Sequence, residues 1–163
     1  MPVYWIDAGV LIQAERDPYP QKMLPQFWQF LHEQLEAGII KMPRIAYEEV
    51  TEGGYTDALC SWCKLRKQIG LCKAETKAVQ ERYGQIVAHI QSKHKQHHVM
   101  EFLKGGDGWV IAYALETEGI VVTQEIKKSK KSKIKIPAVA GDFDVRCIST
   151  RRMLDELGAD FSK

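Results

Sequence analysis

The stretch YWIDAGVLIQA, residues 4–14, decides the fold. VYWI, residues 3–6, is a short, continuously apolar run, which reads as a strand buried on both faces. It ends in a lone acid, Asp7. DAGVLIQAER then has helical spacing, with Val10, Leu11 and Ala14 on one side. A carboxylate at the end of a buried strand costs desolvation energy. Either it caps the helix that follows or it belongs to a site, and for Asp7 alone the two readings are equally good.

Working outward, the same grammar repeats. Leu24, Phe27, Trp28, Leu31 and Leu35 recur at three and four, which predicts a helix over 24–37 ending at Gly38. GIIKMP suggests a brief strand. Pro43 suits the first turn of a helix carrying IAYEEV, which stops near Gly53-Gly54. Helical spacing is predicted over 56–69 and 74–93, with Val79, Tyr83, Ile86, Val87 and Ile90 on the apolar face of the second. GGDG, 105–108, reads as a turn before the helix WVIAYALETEG, which ends at Gly119. IVVT, 120–123, is another buried strand. A lysine-rich loop, IPAVAGDF, the strand VRCIS and the helix RRMLDELG complete the chain. Short apolar strands separated by helices predict an α/β fold. Its architecture is three layers, α/β/α, with a short parallel sheet and right-handed crossovers.

The chain has 163 residues, enough for one domain with a real core; residues 1–163 are read as a single domain, with 54–100 as a helical insertion. No run of eighteen uncharged apolar residues occurs, so no membrane span is expected. Asp7 interrupts the layout of a secretory leader, and a cytoplasmic protein is the expectation. Four cysteines in such a chain are expected to be thiols. Net charge is +2, but KKSKKSKIK, residues 127–135, holds six lysines and no acid; without them the remainder is −4. An acidic body thus carries one basic loop.

The acids fall into a pattern. Asp7 ends the first strand. Glu48 and Glu49 lie just beyond the second. Asp107 opens the alanine-rich helix. Glu125 follows the strand that ends in Thr123. In a parallel sheet, strand C-termini and helix N-termini share one edge, where ligands collect. Four segments would deliver carboxylates there. Their mutual repulsion is relieved by a hard divalent cation, Mg²⁺ or Mn²⁺. Each acid also has a plainer role: Asp107 as a helix N-cap, Glu48 or Glu49 on a solvated helix face, Glu125 as a surface acid.

The ordered motifs IDAGVLI, YEEV, GDGWVIAYAL and VVTQE resemble a PIN domain, most closely the VapC-type toxin ribonucleases of toxin–antitoxin modules. The lysine-rich segment running into KIP and then VRCI fits one branch of that family. The resemblance implies a Mg²⁺- or Mn²⁺-dependent endoribonuclease whose products carry a 5′-phosphate and a 3′-hydroxyl. Its metal acids would be Asp7, Glu49 (with Glu48 as fallback), Asp107 and Glu125, and Thr123 would help hold a metal-bound water. Family members imply an RNA substrate, a cognate antitoxin protein and self-association. Three features depart from the family pattern. Gly9 stands where Asn, Ser or Thr is usual, Glu125 is longer than the more frequent Asp, and 54–100 carries no family motif. A non-catalytic PIN-like RNA- or protein-binding module and a structure-specific DNA nuclease are the alternatives.

Lys127, Lys128, Lys130, Lys131, Lys133 and Lys135 would attract the phosphates of single-stranded RNA, or else form a solvated loop. CSWC, 60–63, with Cys72, His89, His94, His97 and His98, invites a zinc reading. The cysteines fall within a helical pattern, where buried thiols are ordinary core residues. The tryptophans, including Trp28 and Trp62, read as core anchors.

Overall fold

A computed structural model describes residues 2–124 and 133–162. Four parallel strands form one sheet: β1 (Tyr4–Ile6), β2 (Ile40–Lys41), β3 (Ile120–Val122) and β4 (Cys147–Ile148), in spatial order β2-β1-β3-β4. The chain places β2 on one side of β1 and later returns to place β3 on the other. The β1–β3 junction is therefore a topological switch point, where crevices form at strand C-termini.

Alternation along the strands divides the core between the two sheet faces. Tyr4, Ile6, Ile120 and Val122 join one buried cluster, and Trp5 and Val121 join the other. The first face is covered by α1 (Ala8–Arg16), α2 (Pro25–Glu36), α3 (Arg44–Glu52), α4 (Asp57–Leu65) and the last helix of the chain (Thr150–Glu156), through Leu11, Phe27, Leu31, Val50, Leu59 and Met153. The second face is covered by α5 (Lys77–Lys93), α6 (Gln96–Leu103), α7 (Asp107–Thr117) and α8 (Ile136–Asp142), through Ile86, Ile90, Phe102, Val110, Ile111 and Ile136. The terminal helix is α9. The expected α/β, three-layer architecture is thus observed. Among the described residues, no helix is long and apolar enough to cross a membrane.

Local sequence explains most of the boundaries. Thr56, Thr76 and Ser149 cap α4, α5 and α9 by accepting from the Leu59, Val79 and Arg152 amides. Gly38, at φ +74°, closes α2, and its amide donates to Leu35 O. Several expectations need correction. The 56–69 segment is α4 followed by a 3₁₀ turn, Lys67–Ile69, and not one helix. Pro43 is the N-cap of α3, one position outside its first turn. The left-handed residue ending α7 is Glu118, at φ 54°. Gly119 serves close packing instead: a Cβ there would lie 2.6 Å from Val3 O, against the chain entering β1. Two helices, α6 and α8, arise where no helix was expected. In the 54–100 segment, α5 supplies Val79, Ile86 and Ile90 to the core and stacks Tyr83 on Trp109 of α7, centroids 3.8 Å apart and planes at 3°.

Candidate active site

A cavity of about 610 Å³ opens at the C-terminal edge of the sheet, at the β1–β3 switch point. Four segments build its wall. Asp7 and Gly9 come from the β1–α1 junction, Glu49 from α3, Asp107 from the start of α7, and Thr123 and Gln124 from the end of β3. Lys135, just before α8, completes it. Asp7, Glu49, Asp107 and Thr123 therefore line one space, as the residue pattern predicts. Glu125, Lys127, Lys128, Lys130 and Lys131 lie outside the described residues. Lys133 is described but does not line this cavity.

Asp7 shows how the fold tolerates a buried carboxylate. It is only 7% exposed. Its Oδ1 accepts from the Val10 amide at 3.0 Å, capping α1. Its Oδ2 accepts from the Thr123 hydroxyl at 2.6 Å. The pairing of Ile6 with Val122 sets this contact, because Asp7 and Thr123 are the next residues on adjacent strands. The positive end of α1 adds to the compensation. Asp7 thus both caps α1 and lines the cavity. Asp107 is not an N-cap. That position belongs to Gly106, and Asp107 is the first residue of α7, where the helix dipole still favours a negative charge.

The structure separates Glu49 from Glu48. Arg44 engages Glu48, Nη1 to Oε1 at 2.5 Å, and bridges onward to Glu75 at 2.7 Å. Glu49 turns toward the cavity, where its Oε1 accepts from the Gly106 amide. Burial pushes the Glu49 carboxyl above the ordinary glutamate range, and the Gly106 hydrogen bond partly offsets this. A carboxyl held high beside other acids in a cavity is a recurrent feature of functional sites. Sequence reasoning missed the Gly105-Gly106 contact with this residue; its signal was the glycine pair directly before Asp107. It also missed Gln13 and Gln124 in the wall.

Gly9 has a local explanation. A Cβ at this position would stand 3.3 Å from Asp7 Oδ1, tighter than ordinary contact, while Asp7 is held from two sides. A larger residue would press on the carboxylate.

The donor set is carboxylate and hydroxyl oxygen, which suits Mg²⁺ or Mn²⁺ in chemistry. Among the described residues, however, no group of three or more His, Cys, Asp or Glu gathers closely enough to hold a metal ion.

The cysteine–histidine motif does not come together as a site. Cys60 and Cys63 sit on α4, over one sheet face, while His94, His97 and His98 flank or open α6 over the other. Cys63 is fully buried, and burial raises its thiol to about 12. The Cys60 thiol lies 3.5 Å from Val50 O. All four cysteines are free thiols. Trp28 and Trp62 are buried and meet edge to face, 4.9 Å between centroids, as core anchors do.

No curated protein matches this chain. A family model described as a domain of unknown function, DUF4411, matches residues 4–161, from the first residue of β1 to beyond α9. The match takes in every residue lining the cavity, and the chain belongs to the DUF4411 family.

Proposed function

We propose that this chain is a PIN-like, Mg²⁺- or Mn²⁺-dependent endoribonuclease, acting in the cytoplasm as the toxin of a toxin–antitoxin pair. One observation carries the reading: Asp7, Glu49, Asp107 and Thr123, spread over more than a hundred positions, line one cavity at the sheet's switch point. Asp7 and Asp107 would hold the cation, with Glu49 and Glu125 completing its surroundings. An ion held there would supply a water of lowered pKa and offset phosphate charge. The chain's own groups do the rest. The Thr123 hydroxyl and the Val10 amide fix both oxygens of Asp7. The Gly106 amide fixes one oxygen of Glu49. Lys135, the only cation among the described lining residues, would meet a phosphate of the substrate.

A second reading has its own support. Gly9, standing where Asn, Ser or Thr is usual, favours a PIN-like module that grips RNA or protein without cutting. One experiment separates the two. Labelled single-stranded RNA and DNA are incubated with the purified chain and Mn²⁺, with a chelated control, and with Asp7→Asn and Asp107→Asn. RNA cleavage that needs the metal and both acids supports the nuclease. Binding without cleavage supports the module, and cleavage of DNA alone transfers the activity to the other substrate. Full cleavage by either folded variant removes the site assignment.

A further inference from the structure

Gly105 and Gly106 have no conformational need to be glycine, because neither has a positive φ. What each lacks is room. A Cβ on Gly105 would lie 2.5 Å from Glu49 Oε1, 3.1 Å from its Cδ and 3.5 Å from Oε2, so its three nearest neighbours are all atoms of the Glu49 carboxylate. A Cβ on Gly106 would lie 3.0 Å from Glu49 Oε1 and 3.2 Å from the Ala46 amide nitrogen. The Gly106 amide is also the hydrogen-bond donor to Glu49 Oε1. The glycine pair therefore presses the α6–α7 turn against one side chain of α3. It does so one residue before Asp107, the next acid of the cavity.

We infer that Gly105 is a positioning residue for Glu49: its missing side chain lets the backbone close on the carboxylate and fix it in the cavity beside Asp107. The catalytic meaning of this cradle rests on the nuclease reading above; its existence does not. Ala at 105 forces the Glu49 head to swing away, since the obstructed atoms belong to a side chain and not to backbone. At Gly105 the three nearest atoms all belong to the Glu49 side chain, whereas at Gly106 the backbone of Ala46 also stands close. Glu49→Ala removes the three atoms nearest to a Cβ at position 105.

The test is a double-mutant cycle read in two ways. Thermal unfolding is measured for wild type, Gly105→Ala, Glu49→Ala and the double variant. A change of Tm on Gly105→Ala that disappears in the Glu49→Ala background supports the cradle. Equal changes in both backgrounds, or no change in either, overturn it. Cleavage of RNA with Mn²⁺ is then compared for wild type and Gly105→Ala. A drop in kcat of roughly 10- to 100-fold with KM unchanged supports positioning, since displacing a catalytic group by about 1 Å has that scale of effect. A changed KM with unchanged kcat, or no change in either, overturns it. If the wild-type chain cleaves nothing, the nuclease reading falls, and the thermal cycle still decides whether the cradle exists.

Discussion

Thr123→Val is the sharpest structural test of the cavity. The hydroxyl of Thr123, 2% exposed, donates to Asp7 Oδ2 at 2.6 Å, and Asp7 is 7% exposed. Valine keeps the shape and removes the donor. A hydrogen bond to a charged group contributes about 1.5–3 kcal/mol, and the loss is felt in full when the remaining carboxylate oxygen is buried. For a domain of this size each kcal/mol moves Tm by about 2–4 °C, so a fall of roughly 3–12 °C is expected. Asp7→Ala separately loses the α1 cap, about 1 kcal/mol. Urea unfolding of wild type, both single variants and the double variant isolates the pair, because the cap loss is common to both Asp7→Ala proteins. The expected coupling is about 1.5–3 kcal/mol on the same grounds. A coupling below about 0.5 kcal/mol, within the usual error of additivity, would refute the claim that this contact holds Asp7 in place.

Two further outcomes follow from the cavity's electrostatics. Glu49 has a folded-state pKa raised by burial, so folding favours its protonated form. Charging it therefore costs stability, progressively as pH rises from its unfolded value of about 4.5 through its higher folded value. Glu49→Gln keeps an acceptor for Gly106 and removes the charge, so its stability relative to wild type should climb between about pH 4 and pH 7; parallel urea-midpoint curves would contradict this. Lys135→Ala should weaken single-stranded RNA binding and lower the slope of log affinity against log salt by about 0.7, as expected for one phosphate contact. Fluorescence anisotropy across a salt series reads that slope, and an unchanged slope would take Lys135 out of the substrate path.

The parts of the fold visible in the sequence were those with strong periodicity or punctuation. The runs YWI and IVV are apolar throughout because both sheet faces are covered, and that made the parallel sheet readable. Asp7 and Thr123 were legible as strand-end residues, and their contact follows from strand register. Helix α6 was hidden because its opening turn is Gln96-His97-His98 and only Val99 and Phe102 are buried. Helix α8 was hidden by Pro137 and Gly141, both of which read as loop signals in a helix of seven residues. The motif resemblance favoured Glu49 over Glu48, and Glu49 lines the cavity; the physical reason, the pairing of Glu48 with Arg44, whose other partner Glu75 is distant in sequence, was not legible. The glycine cradle was equally hidden, because crowding at a missing Cβ exists only in three dimensions.

In the proposed site Asp7 and Asp107 would hold a divalent cation, with Glu49 and Glu125 around it. Thermal unfolding with and without Mn²⁺ tests it without any substrate. At a hundred times the dissociation constant, a ligand specific to the folded state contributes about 2.7 kcal/mol, equivalent to roughly 5–11 °C in a chain of this length. Wild type should show such a rise, and Asp7→Asn and Asp107→Asn should lose it. A wild-type Tm indifferent to Mn²⁺, or a rise of the same size in both variants, would contradict it.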